Sequence, residues 1–152
     1  MTPPQQHYAS LVQGLKDAGL KLTPQRLAIL ELLADNRTHP TATAIYQQLQ
    51  PRFPTMSQTT VYNTLDSLVK LGLIHEIGRV GDDAAHYDAD TDPHVNVICQ
   101  NCGKIVDVVA DDQVPSLEAM AKRSGFEIHG ARIVYYGLCA TCGRKAARKA
   151  AR

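Results

Sequence analysis

Cys99 and Cys102 form one Cys-x-x-C pair, in "CQNCG", and Cys139 and Cys142 form a second, in "CATCG"; the chain has no other cysteine. Thiolates two residues apart on a tight turn, with the following glycine relieving the backbone, can reach one tetrahedral ion together, and two such pairs complete four ligands. In a reducing compartment this pattern favours metal thiolates over structural disulfides. A redox dithiol and merely buried cysteines are the rival readings, but two pairs separated by 36 residues point more strongly to zinc. A closed four-sulfur site leaves no position for substrate, so the expected role is structural: it pins the end of the chain to the strand at Cys99. His94 stands five positions before Cys99, in "DPHVNVICQNCG". In an extended strand His94 and Asn96 share one face and Cys99 takes the other, so His94 should belong to a different site unless the strand bulges.

These ligands need elements to hold them. At 152 residues and 44% hydrophobic content the chain suits one core or two small ones. The first 72 residues read as four helices separated by breakers. "HYASLVQGLKDAG" places Leu11, Leu15 and Ala18 at helical spacing and stops at Gly19. "TPQRLAILELLADN" opens on a Thr23 cap with Pro24 at the first helical position, and Leu27, Leu30, Leu33 and Ala34 form its apolar face. A third helix starts near Thr41 with Ala44, Ile45 and Leu49 inward, and a fourth is capped by Ser57, carries Val61, Leu65 and Leu68 inward, and stops at Gly72. The period then shortens: "LIHEIGRVGDDAAHYDAD" reads as a hairpin around a Gly/Asp turn, and helices ending in a hairpin suggest a winged helix. Beyond it, "HVNVIC" and "KIVDVVA" read as strands, "VPSLEAMAKRSG" as a helix and "FEIHGARIVYYGLC" as a long extended segment. The expected fold is α+β: a winged-helix DNA-binding domain over 1–84, a hinge over 85–92, a small α/β dimerisation and metal-binding domain over 93–143, and a basic tail over 144–152.

Charge is segregated along this plan. Residues 1–72 carry six Lys/Arg against four Asp/Glu, residues 73–140 carry five against eleven, and residues 141–152 carry five against none. A mildly basic first half suits an anionic partner, and an acidic, histidine-bearing second half suits a cation. On the fourth helix the inward face leaves Gln58, Thr59, Thr60, Tyr62 and Asn63 near the N-terminus for phosphates and base edges, with Lys21, Arg26 and Arg79 able to neutralise backbone phosphate. The bland alternative for these groups is ordinary solvation. The chain lacks a run of about 18 apolar residues and a secretory-type start, which predicts a cytoplasmic protein without membrane insertion.

With "LTPQRLAILELL", "HPTATAIYQQL", "FPTMSQTTVYNTLDSLVKLGLI", "HVNVICQNCGKIVD" and "YYGLCATCG" in this order, the chain resembles the ferric uptake regulator (Fur) family over nearly its whole length, and most closely its peroxide-sensing branch. The resemblance implies a homodimeric repressor that binds operator DNA, is not an enzyme, and holds two kinds of metal. Cys99, Cys102, Cys139 and Cys142 match the family's structural zinc ligands. His39, Asp88, His94 and Asp107 match its regulatory ligands, a mixed nitrogen and oxygen set suited to Fe(II) or Mn(II). Asp107 favours the peroxide-sensing branch, since iron-uptake regulators usually carry a glutamate there. Asn96 is the departure, standing where the commonest pattern has a second histidine; the fifth ligand is Asn96, a water or Asp92. His7, His75 and His129 read as surface or structural histidines, and His86 as either a wing residue or an accessory ligand.

The implied mechanism is a two-state switch in which the regulatory ion clamps a DNA-competent arrangement until oxidation of His39 or His94 releases it. A sensor of iron or another metal, using the same clamp without histidine oxidation, is the alternative within the family. A metal-dependent hydrolase leaves the winged helix unexplained, and a zinc-ribbon interaction module accounts for the cysteines but not for His39, Asp88 or Asp107.

Overall fold

A computed structural model describes residues 4–78, 84–90, 94–109 and 114–152. They divide into two units, one containing 4–78 and 84–90, the other 94–109 and 114–152. Arg79, Asp92 and the turn of the expected hairpin lie outside the described residues.

The first unit contains four helices: α1 (Pro4–Asp17), α2 (Pro24–Asp35), α3 (Ala42–Leu49) and α4 (Gln58–Lys70). Their starts are built from local chemistry. Thr23, Thr41 and Ser57 each accept a backbone N–H three residues on, from Arg26, Ala44 and Thr60, satisfying donors that a helix N-terminus leaves open. Gly19 (φ +70°) and Gly72 (φ +68°) follow α1 and α4 in the left-handed region that ends a helix. Leu11 and Leu15 of α1, Ile45 and Leu49 of α3, and Val61, Leu65 and Leu68 of α4 are buried as their spacing predicts. Ala18, expected on the inner face of α1, lies beyond its end and is exposed. The face of α2 is broader than Leu27, Leu30, Leu33 and Ala34: Ala28, Ile29, Leu30 and Leu33 are buried while Leu27 and Ala34 are half-buried. Neighbours on several sides explain the width, because α1, α3 and α4 all pack against α2.

After α4, β1 (His75–Ile77) pairs antiparallel with β2 (His86–Asp88), in register His75 to Asp88. This completes the helix-and-hairpin order of a winged helix. Thr41 forms an isolated bridge with His86, so the segment entering α3 lies along β2.

The second unit is a three-stranded sheet in the order β4-β3-β5, with β3 at His94–Cys99, β4 at Ile105–Val109 and β5 at Ile133–Gly137. Central β3 pairs antiparallel with β4 and parallel with β5. Helix α5 (Leu117–Ser124) is capped by Ser116 and closed by Gly125 at φ +75°. The extended segment expected over 126–139 shortens to β5, because only Ile133–Gly137 finds ladder partners, on β3. A last helix, α6 (Ala140–Ala150), continues from the second cysteine pair through "RKAARKA".

Candidate metal centres

All four cysteine sulfurs lie within 4.8 Å of one another in the second unit. Cys99 ends β3, and the turn after it is closed by Gly103 N–H donating to the Cys99 carbonyl at 2.9 Å, with Gly103 at φ +72°. The second pair differs from the tight turn read from "CATCG". Cys139 is the N-cap residue of α6 and Cys142 stands in its first turn, so helical geometry turns both sulfurs the same way. The Gly143 N–H donates to the Cys139 carbonyl as an ordinary helical bond, at 2.8 Å. The Cys102 and Cys139 sulfurs are 3.9 Å apart, against the roughly 3.8 Å edge of a tetrahedron with Zn–S bonds of about 2.3 Å.

The backbone favours the charge that such a site needs. The Cys139 N–H donates to the Cys99 sulfur at 3.3 Å and, with the Cys102 N–H, pulls the Cys99 thiol down from 9.0 to about 6 against the opposing effect of burial. The Cys142 N–H and the Cys142 thiol lower Cys139 as well. For Cys142 the Asn101 amide, 3.2 Å away, favours the thiolate, but the Cys139 sulfur, burial, and the Cys102 and Cys99 sulfurs outweigh it, leaving that thiol at about 11. Four sulfurs crowded together cannot all carry charge without a cation among them, which is the electrostatic case for one. Asn101 was not singled out from the sequence; its place between the two ligands of "CQNC" is the only signal that could have found it.

His94 takes no part in this cluster. The β3 ladder runs through Val95, Val97 and Cys99 on one face and His94, Asn96 and Ile98 on the other, paired without a bulge. Asn96 lies directly opposite Asp107 on β4, so His94, Asn96 and Asp107 share a face. The Asn96 amide nitrogen is 3.1 Å from His94 Nε2, and its oxygen is buried with no hydrogen-bond donor among the described residues. An amide oxygen in that state is costly unless something positive meets it.

The first unit carries a separate pair of donors. His39 and Asp88 are both buried, with His39 Nε2 3.7 Å from Asp88 Oδ2. The Asp90 N–H donates to Asp88 Oδ1 at 2.8 Å, which fixes the carboxylate and turns Oδ2 toward the imidazole. His39 has φ +53°, the one non-glycine residue at positive φ among those described. A conformation of this kind costs about 1 kcal/mol or more in a non-glycine residue.

Residues 17–136 match the sequence profile of the Ferric uptake regulator family. This chain belongs to the ferric uptake regulator family. It is 42% identical over 136 residues to the peroxide operon regulator of Bacillus subtilis, covering 88% of this chain and 92% of that protein. A peroxide stress regulator from Campylobacter jejuni is similar in structure, with a TM-score of 0.68 and 32% identity over 86% of this chain and 98% of its own. A zinc uptake regulator solved with zinc and DNA has a TM-score of 0.62 at 26% identity, over 97% of this chain and 99% of its own. Asp107 lies on β4 and Cys99 ends β3, whereas Cys139 and Cys142 stand at the start of α6.

Of the residues read as facing DNA, Lys21, Gln58, Thr59, Tyr62 and Asn63 are exposed and Thr60 is half-buried, its hydroxyl 3.1 Å from the Ser57 capping oxygen. The Arg26 guanidinium donates to the Lys21 carbonyl at 2.8 Å, so Arg26 also holds the turn before α2. His129 is exposed, 3.8 Å from Glu127.

Proposed function

We propose that this chain is a metal-dependent transcriptional repressor that binds operator DNA as a homodimer and responds to peroxide through its regulatory ligands. The observation that carries the reading is the pair of incomplete donor sets: His39 with Asp88 on the first unit, and His94, Asn96 and Asp107 on the second. Neither set alone satisfies a divalent cation that takes six ligands, and both offer the nitrogen and oxygen donors that suit Fe(II) or Mn(II). One ion held by both would fix one arrangement of the two units, the DNA-competent one, and so shift a two-state equilibrium. The oxygen of Asn96, buried and without a donor among the described residues, fits such an ion.

Fe(II), when bound, supplies the reducing equivalent for peroxide. Peroxide would be the oxidant, giving one oxygen to the imidazole of His39 or His94 and leaving as water, and loss of either ligand would weaken metal binding and lower operator affinity. Asp88 and Asp107 would offset the charge of the ion. Cys99, Cys102, Cys139 and Cys142 hold a structural Zn(II). Lys21, Gln58, Thr59, Thr60, Tyr62 and Asn63 contact the operator through the winged helix, which β2 carries past the expected boundary at 84 into the segment read as a hinge. Among the described residues no helix is long and apolar enough to cross a membrane, in keeping with a cytoplasmic site of action.

Dimerisation follows from surface that the second unit cannot cover alone. Among its described residues the buried aliphatics are Val95 and Ile98, whereas Val106, Val108, Val109, Phe126, Tyr135, Tyr136 and Leu138 are exposed. Apolar area on this scale marks an association surface.

Operator affinity of the Fe(II)- and Mn(II)-loaded protein, with and without peroxide, tests the proposal. The expected result is tight binding by both forms, lost on peroxide treatment only with iron, together with added oxygen on peptides containing His39 or His94. Affinity indifferent to metal would sink the switch. Metal-dependent affinity with no added oxygen would assign the chain to the sensing of metal availability instead.

A further inference from the structure

The clamp on the His39 backbone belongs to none of the ligand sets. His86 Nδ1 lies 2.7 Å from the carbonyl oxygen of His39, and since a carbonyl only accepts, that nitrogen carries the proton. The neighbouring contacts continue along the chain: Tyr87 N–H donates to the Pro40 carbonyl at 3.0 Å, and Thr41 bridges to His86 in antiparallel fashion. Thr41 then caps α3 by accepting the Ala44 N–H at 3.1 Å. Residues 39–41 are thus laid on β2 as a short extra strand, held from both ends.

The need for this hold lies in the conformation of His39. Its φ of +53° is rare for any residue with a side chain, and a residue followed by proline, here Pro40, is normally pushed to extended backbone. Such a conformation persists only where the surroundings over-determine it. It is also what turns the buried imidazole back toward Asp88, leaving Nε2 3.7 Å from Oδ2. Since β2 supplies both Asp88 and His86, one strand carries the carboxylate on one residue and the restraint for its imidazole partner two residues earlier.

We propose that His86 is a positioning residue for the regulatory ion: its Nδ1–H, bonded to the His39 carbonyl, keeps His39 in the left-handed conformation that pairs its imidazole with Asp88. This rests on the reading of His39 as a metal ligand. His86 touches no ion; it acts through the backbone of one that does. Partners of this kind, set behind a ligand, typically change metal affinity by about 10- to 100-fold.

Titration of the zinc-loaded full-length protein with Mn(II), followed by the loss of the free-ion paramagnetic signal, tests the assignment in His39→Ala, His86→Leu, His86→Asn and His86→Gln. His39→Ala should abolish tight binding. His86→Leu should weaken it by about tenfold or more, while zinc content and secondary structure stay as in the parent. His86→Asn, which places an amide N–H where Nδ1 stood, should restore most of the affinity; His86→Gln, whose donor reaches further out, should not. Wild-type affinity in His86→Leu, with loss in His39→Ala, would overturn the positioning role and leave the metal reading intact. If His39→Ala binds normally, the regulatory reading fails and His86 falls with it. Should His86→Leu not fold, the Asn and Gln variants decide: equal affinities would overturn the proposal.

Discussion

Cys99 and Cys142 belong to one cluster yet hold their protons very differently, about 6 against about 11, because the Cys139 N–H points at one sulfur and neighbouring sulfurs crowd the other. In zinc-free protein the Cys99 shift has a definite sign. A thiol depressed in the folded state adds stability that is complete above its unfolded value of 9.0 and lost as pH falls to about 6. The thermal midpoint of the zinc-free chain should therefore rise between pH 6 and 9, with the lowered Cys139 acting in the same direction. Cys142, raised, subtracts stability only above its usual range. Cys99→Ser should flatten the rise; an unchanged slope would place its origin elsewhere. Asn96 gives a second prediction at this scale. Asn96→Ala should lower Mn(II) affinity about tenfold and Asn96→His should recover it, whereas loss confined to Asp92→Ala would give the fifth position to Asp92. The four cysteines are legible from their spacing, while His39, 49 positions before Asp88, enters only through the resemblance to the family. The restraint by His86 is not legible, since a histidine bonding a carbonyl 47 residues away leaves no local pattern.

Among the elements, α4 shows how a helix start can serve two purposes. Ser57 Oγ accepts the Thr60 N–H at 3.2 Å, and the same turn exposes Gln58, Thr59, Tyr62 and Asn63, the residues proposed to contact the operator. Farther along, Thr64 and Ser67 return their hydroxyls to the Thr60 and Asn63 carbonyls at 2.8 Å, while Lys70 pairs with Asp66 at 2.7 Å. Ser57→Ala should cost about 1 kcal/mol in denaturant unfolding, and should weaken operator binding more than the same change at Thr23, whose cap serves α2. Equal binding losses would mean that the start of α4 has no special part in DNA contact. Caps at Thr23, Thr41 and Ser57 are all readable because they depend on residues three apart. The second cysteine pair was harder: "CATCG" suits a turn as well as a helix start, and what decides between them is the run of helix formers in α6.

For the whole molecule, association and metal response are the properties to test. Tyr136, 65% exposed on β5, and Val109, 85% exposed at the end of β4, lie on strands at the two edges of the sheet. Tyr136→Glu should drive the protein toward monomer in sedimentation and reduce operator affinity with it, since one protomer presents only one winged helix. A dimer of unchanged stability would move the interface away from β5. The sequence by itself determined the helix starts, the strand alternation and the four zinc-type sulfurs, because each depends on residue chemistry and short spacing, whereas the regulatory set was legible only through the resemblance to the Fur family. Tertiary structure alone decided that β3 pairs parallel with β5, so that Gly137 lies beside Cys99 and the chain arrives at Cys139 next to the first sulfur pair. It likewise decided that the segment at His39 lies along β2 and that Asn96 faces Asp107. The parallel pairing and the contact of the His39 segment with β2 join residues tens of positions apart, and all these arrangements are chosen by burial and by ladder hydrogen bonds.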